Sequence, residues 1–545
     1  MMDTPFAITL GSASSRTNRT GAWRVERPVY RDLFPPCAAA CPAGENVREW
    51  LHLAQDGDYE AAWREIMSVN PFPAIMGRVC YRPCETACNR GQLDETVGIN
   101  SVERFLGDEA IRAGWTVSAG EATGRRVLVV GAGPAGLAAA YHLRLLGHDV
   151  TIRDSGPEPG GMMRFGIPAY RLPRDVLDAE IRRIVELGVT LELNTRVGDV
   201  ADIRDAEGFD AVFLAVGAQL SHRTYVPAGD SAHILDALSV LRRTAGGAPP
   251  LLGRRVAVYG GGNTAVDVAR TARRLGAADA LIVYRRTRDR MPAHESEVTE
   301  AEEEGVRLRW LSTIAQADEG RVTVERMRLD ESGFPQPTGE FDELDADAVV
   351  LALGQDSDLG LVSHTPSVAT AHGRIVVDGA FMTGLPGVFA GGDAISGDRT
   401  VTSAIGHGRR AAQAIDAWLR ETAVEASAPV VEAAFEGLNP WYYTDAPRQH
   451  RSKLEAARRT STFDEVVAGL DAATALFEAR RCLSCGGCFE CDNCYSVCPD
   501  NAVIKLGPGR RYEIDLEYCK GCGLCAAECP AGAIAMIPEQ RLEPS

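Results

Sequence analysis

The sequence predicts a multidomain chain: an α-helical, cysteine-bearing N-terminal domain, two Rossmann-like α/β domains and a small α+β cysteine-rich module. Three observations predict it. The chain has 545 residues, room for three or four domains at roughly 150 residues each. Two segments repeat the order strand, glycine loop, helix, strand: RRVLVVGAGPAGLAAAYHLRLLGHDVTIRD from Arg125 and RRVAVYGGGNTAVDVARTARRLGAADALIVYRR from Arg254. Finally, 15 cysteines fall in two groups, five from Cys37 to Cys88 and ten from Cys482 to Cys529, with none between them.

With 45% hydrophobic and 24% charged residues the composition is globular, which excludes wholesale disorder and fibrous repeats. A net charge of -18 argues against nucleic acid or anionic membrane as a partner, because both need a basic surplus. The N-terminus lacks a basic region followed by an apolar core, and no apolar run approaches the ~18 residues of a membrane helix, so a cytoplasmic protein without membrane insertion is expected. In a reducing compartment clustered cysteines hold metal or do redox chemistry more often than they form disulfides.

Residues 1–30 are polar and irregular and are expected to form a flexible arm. From Val47 to about Ala110, Trp50, Leu51, Ala54, Ala62 and Ile66 recur at helical spacing. Gly131-Ala-Gly133-Pro134-Ala135-Gly136 then follows the strand VLVV and opens a helix, where glycines permit a tight turn and close approach of a pyrophosphate. Asp154 ends the next strand and suits a ribose hydroxyl. The second loop, Gly260-Gly-Gly262-Asn263-Thr264-Ala265, is followed by a strand ending in Arg285 and Arg286 where an NAD site commonly carries an acid. Guanidinium groups there suit a 2′-phosphate, so NADPH is expected over NADH; the bland reading is a solvated basic strand end. Further on, GVFAGGDA, with Gly392 and Asp393, has the look of the strand and aspartate that close an FAD site. The helix after it would turn its first amides, near Ala404 and His407, toward the flavin. For His407 the backbone is expected to matter more than the imidazole.

The last group of cysteines is the most specific signal. Cys488-x2-Cys491-x2-Cys494-x3-Cys498-Pro and Cys519-x2-Cys522-x2-Cys525-x3-Cys529-Pro repeat the run that wraps two [4Fe-4S] cubes, the fourth cysteine of each reaching the other cube. One cube is therefore expected on Cys488, Cys491, Cys494 and Cys529, and the other on Cys519, Cys522, Cys525 and Cys498, in a ferredoxin-like fold. Structural zinc, the alternative, more often shows C-x2-C pairs separated by a longer gap.

Together CPAGENV, GRVCYRPCETAC, VVGAGPAGLAAA, GGMMRFGIPAYRLP, GGGNTAVDVAR, YRRTRDRMPAHESE and VFAGGDA resemble the small (beta) subunit of glutamate synthase and its relatives in the N-terminal half of dihydropyrimidine dehydrogenase and in NADH-dependent ferredoxin:NADP oxidoreductase. The resemblance covers about residues 35–420. It implies a helical iron–sulfur domain (31–120) and an FAD domain in two parts (121–248 and 371–421) interrupted by an NAD(P)H domain (249–370). A linker (422–475) and the ferredoxin module (476–545) would follow. It also implies that Gly161, Gly166, Ile167 and Pro168 lie near the flavin.

The chain departs from that family at its N-terminal cysteines. Relatives carry C-x2-C-x4-C-x3-C-P, whereas here Val29 and Asp32 stand at the first two positions and only Cys37 and Cys41 remain. EARRCLSCGG, with Cys482 and Cys485, has the look of the displaced pair. Carried over, the family's ligand sets imply one cluster on Cys37, Cys88, Cys482 and Cys485, and another on Cys41, Cys80, Cys84 and Glu103. That makes four clusters; a single N-terminal cluster on four of the five early cysteines would make three.

The function this implies is electron transfer between NADPH and an iron–sulfur or flavin partner through FAD and [4Fe-4S] clusters, in either direction, with no catalytic side-chain acid or base required. The expected partner subunit is a ferredoxin or a protein such as a 2-oxoacid:ferredoxin oxidoreductase or the glutamate synthase large subunit, within a hetero-oligomer. The alternatives are a true glutamate synthase small subunit, a disulfide reductase, which would need a cysteine pair beside the flavin, and a non-catalytic redox-sensing subunit.

Overall fold

The computed structural model describes residues 19–222, 226–229, 233–423 and 430–539. Near the N-terminus, helices Val47–Gln55, Tyr59–Met67 and Ile99–Ala113 pack around Trp50, Leu51, Ile66 and Val102, while Pro73–Val79 places Ile75, Met76 and Val79 in the core of the first α/β domain. Their apolar residues recur three and four apart, which gives each helix one buried stripe. The helix Ala472–Ala479 adds Ala475 and Ala479 to the same core from the far end of the chain.

Two five-stranded parallel sheets follow. The first has the order Val388–Ala390, Ala211–Leu214, Arg126–Val130, Asp149–Arg153, Thr190–Glu192. The second has the order Arg307–Arg309, Asp279–Val283, Arg255–Tyr259, Ala348–Leu351, Ile234–Asp236. Helices cover the faces of these sheets, so runs such as VLVV are buried on both sides and read as continuously apolar. The chain leaves the first sheet after Leu214 and regains it at Val388, so one α/β domain interrupts the other. Ile234–Asp236 already pairs in the second sheet, ahead of the expected boundary at 249; three residues are too few to carry a readable period.

Two segments differ from their expected form. Residues 1–18 of the expected arm lie outside the described residues, but Glu26–Tyr30 forms an antiparallel strand with Ile534–Pro538 of the C-terminal module, and Asp32 pairs with Arg511 at 2.7 Å. The positions where relatives carry cysteine thus tie the two chain ends together. Pro28 in that strand hid it, since proline is confined to sheet edges. The expected linker lies as a strap along the N-terminal domain. Ala433 N–H donates to Phe34 O, Arg90 donates to Thr444 O, and Arg451 donates to Gly77 O. These contacts are made by polar groups, without apolar period.

The helix Val401–Leu419 joins the flavin domain to the N-terminal domain, and Gly406 sets how closely they approach. A Cβ at Gly406 would stand 2.1 Å from Pro42 O, in the loop that carries Cys41. Alanine normally favours a helix over glycine. Here Gly406→Ala is expected to destabilise the protein by roughly 1–3 kcal/mol through overpacking. Thermal unfolding checks this, and a raised melting temperature would contradict it.

Candidate functional site

One cavity of about 800 Å³ is lined by both glycine loops. In the first loop Gly131 has φ +111°, and a Cβ there would meet Ala215 O at 2.3 Å; a Cβ at Gly136 would meet Gly131 O at 1.9 Å. Gly133 faces open space within 4 Å, and Pro134 begins the helix behind it. The second loop repeats the plan. Gly260 is pressed on Ala352 O, Gly262 faces open space, and Ala265 is buried behind them. The two open glycines form the cradle that a pyrophosphate needs at a helix N-terminus.

Asp154 accepts the N–H of Ala132 (2.7 Å) and of Gly156 (2.7 Å), so its carboxylate holds the first loop against the strand end while still lining the cavity. Gly161, Gly166 and Ile167 line the same wall, and Gly392, Asp393 and Ala404 close it; burial raises the Asp393 carboxyl. His407 is outside the lining, with its ring beside Phe381, and burial lowers its imidazole below the usual histidine range. Around the second loop, Asn263 accepts His294 N–H at 2.9 Å and Thr264 lies beside Gln355. Arg285 and Arg286 line the cavity, and the Arg286 Nε is buried with no partner among the described residues. Arg288, nearby in sequence, is instead paired with Glu295 and Glu302. Neither cavity arginine is paired with a carboxylate among the described residues.

Three small cavities are each lined by four cysteines: Cys488, Cys491, Cys494 and Cys529; Cys498, Cys519, Cys522 and Cys525; and Cys37, Cys88, Cys482 and Cys485. The third draws on both ends of the chain. Among the described residues no three His, Cys, Asp or Glu converge closely enough for a single ion. Sulfurs ringing a cavity suit a cube, whereas zinc needs its ligands at ~2.3 Å from one point. Cys41, Cys80 and Cys84 make a further group in which each sulfur feels the Glu103 carboxylate. Burial pushes all three thiols up, Cys80 to about 12, so ligation there must displace protons.

Sequence reasoning missed Glu45 and Asn70 in this group. Both are buried, and the Asn70 amide donates to Glu45 Oε1 (2.8 Å) and Glu103 Oε1 (3.1 Å), orienting the two carboxylates. Burial raises both acids above the usual carboxylate range.

The groups form a line. Val79 and Tyr81, flanking Cys80, line the nucleotide cavity, and Thr402, next to the cavity-lining Val401, donates its Oγ1 to Cys80 Sγ at 3.4 Å. Cys37 and Cys88 stand one helical turn from Cys41 and Cys84. Cys485 is three residues before Cys488. Between them Tyr443 donates to Leu483 O (2.8 Å), and burial among Cys482, Cys485, Cys491 and Cys529 raises its pKa. Tyr30 OH lies 3.4 Å from Cys494 Sγ, between the last two groups. Cys491 and Cys522 are exposed. Replacing Arg285 and Arg286 together by alanine is expected to raise KM for NADPH at least tenfold and leave NADH little changed; equal losses in steady-state assays would contradict the 2′-phosphate assignment.

Residues 125–408 match the family profile of the pyridine nucleotide-disulphide oxidoreductases, 31–115 that of dihydropyrimidine dehydrogenase domain II with its 4Fe-4S cluster, and 487–533 that of the 4Fe-4S dicluster domain. The chain is 38% identical to the NADP(+)-dependent formate dehydrogenase subunit beta of Moorella thermoacetica, over 83% of this chain and 70% of that one. It is 34% identical to the NADPH-Fe(3+) oxidoreductase subunit beta of Geobacter sulfurreducens, over 83% and 75%. It is also 34% identical to the glutamate synthase [NADPH] small chain of Escherichia coli, over 71% and 89%. On the glycine loops, the interrupted sheets and these matches, the chain belongs to the pyridine nucleotide-disulphide oxidoreductase family, with 4Fe-4S domains on both sides of its nucleotide-binding core.

Proposed function

We propose that this chain is the NADPH-handling, electron-wiring subunit of a larger oxidoreductase. The observation that carries this reading is the line of four cysteine groups running from the nucleotide cavity to exposed thiols of the C-terminal module. FAD bound in this cavity would supply hydride acceptance from NADPH and release of the two electrons singly to [4Fe-4S] clusters. The chain's own residues bind and orient. Gly133 and Gly262 leave room for the pyrophosphates, Arg285 and Arg286 meet the 2′-phosphate, and Asp154 keeps the first loop in register. Cys41, Cys80, Cys84 and Glu103 would hold the flavin-side cluster, and Cys37, Cys88, Cys482 and Cys485 the next one out. His407 packs beside Phe381, outside the cavity lining.

The disulfide reductase reading loses support, because no cysteine lines the nucleotide cavity among the described residues. A glutamate synthase partner is disfavoured because that small chain aligns with only 71% of this one, and the C-terminal dicluster module gives electrons a separate exit. The relatives named as formate dehydrogenase and Fe(3+) oxidoreductase subunits favour a redox partner that meets this module.

Anaerobic NADPH is expected to bleach the flavin and then reduce the clusters, and iron analysis should find about sixteen irons per chain. A flavin that neither nucleotide bleaches would contradict the enzymatic reading, and about twelve irons would contradict the fourth cluster.

A further inference from the structure

The strap that crosses the N-terminal domain brings arginines to a second cavity, of about 230 Å³, bordered by Cys80, Tyr81 and Arg82 on one side and by Arg448 and Arg451 on the other. Most cations there have carboxylate partners. Arg78 and Arg104 share Asp108 and Glu465, and Arg448 pairs with Glu85 at 2.5 Å. On the far wall Arg171 and Arg270 are held by Asp267, Glu297 and Glu304, and Lys453 by Glu300 and Glu303.

Arg451 and Arg82 differ. The Arg451 guanidinium donates only to neutral acceptors, Gly77 O at 2.6 Å and Asn100 Oδ1 at 3.2 Å. Arg82 donates its backbone N–H to Cys80 Sγ at 3.3 Å, and its guanidinium has no hydrogen-bond or ion-pair partner among the described residues. Burial and the neighbouring Arg104, Arg82 and Arg448 hold Arg451 down to about 10, outweighing the Glu85 carboxylate, which Arg448 already pairs. Half-buried cations without carboxylates are costly unless negative charge stands nearby.

Cys80 lines the same cavity. Three thiolates and a carboxylate bring more negative charge than an iron–sulfur core offsets, and each electron accepted adds to it. We propose that Arg82 and Arg451 supply the compensating positive charge for the cluster on Cys41, Cys80, Cys84 and Glu103, raising its potential so that it draws single electrons from the reduced flavin. The inference rests on that group holding a cluster. The step moves one electron from flavin to cluster, with no bond formed and no proton transferred by either arginine. Net charge is among the levers that set iron–sulfur potentials.

The test is potentiometric titration of the full-length, cluster-loaded protein, followed by paramagnetic resonance. Arg451→Gln is expected to lower the midpoint of one cluster by at least a tenfold change in its reduction equilibrium, about 59 mV for one electron, while the two ferredoxin cubes stay where they are. Arg451→Lys, which keeps the charge and loses the paired hydrogen bonds, should restore most of the shift. Arg82→Gln removes a side chain that holds nothing else, so it should move the same midpoint without affecting folding. Unchanged midpoints in both glutamine variants would overturn the proposal, and so would equal shifts in Arg451→Lys and Arg451→Gln. A wild-type midpoint that moves on adding inorganic phosphate would assign the arginines to a free anion and overturn it too. If the wild type shows no third or fourth cluster signal that Cys84→Ser removes, the cluster reading itself fails, an outcome distinct from a signal that is present but does not move.

Discussion

A buried ion pair near the C-terminal end of the strap determines how the chain is organised. Glu478 is fully buried and accepts from Gly98 N–H (2.6 Å), Gln449 N–H (2.8 Å) and the Arg481 guanidinium (2.7 Å). Arg481, 2% exposed, also pairs with Asp94 at 3.2 Å and donates to the carbonyls of Ala446, Thr96 and Glu95. Each partner fastens a different stretch of chain, and removing Arg481 would leave the Glu478 carboxylate buried without a counter-charge, at a cost of about 3–5 kcal/mol. Cys482 follows Arg481 directly, so this pair brings Cys482 and Cys485 to Cys37 and Cys88. Without it, the cavity ringed by Cys37, Cys88, Cys482 and Cys485 would lose half its cysteines.

The second constraint is the flavin helix. Its first turn, capped by Thr400, lines the nucleotide cavity and touches Cys80 through Thr402, and Gly406 lies on the loop carrying Cys41. A single helix thus borders both the nucleotide cavity and the cysteine group that includes Cys41 and Cys80. Small residues recur where the line needs close approach, since Gly77 and Gly107 let the helices Pro73–Val79 and Ile99–Ala113 cross within backbone contact. Those helices carry Cys80 at one end and Glu103 at the centre, so their spacing sets the ligand group.

Much of this was legible in the sequence because the chemistry dictates local spacing. A glycine loop must sit between a strand and a helix, and three thiolates around a cube must recur every third residue, so both patterns are readable over a dozen residues. The cysteine pair at 482 and 485 was readable only through family resemblance, and the structure places it against Cys37 and Cys88. Other features were hidden because they depend on contacts between distant residues. Glu45 and Asn70 look like ordinary polar positions until the fold buries them beside Glu103. The strand Glu26–Tyr30 has a proline at its centre and finds its partner some five hundred residues away. Arg451 lies in an aperiodic stretch whose only signal is its lack of signal.

The central claim is that electrons travel from the nucleotide cavity to the ferredoxin module through the cluster shared by the two chain ends. Rapid-freeze paramagnetic resonance on a variant with Cys482 and Cys485 both replaced by serine tests it most directly. NADPH should still bleach the flavin at the wild-type rate, while the two ferredoxin cubes stay oxidised. Cubes reduced as fast as in the wild type would contradict the account.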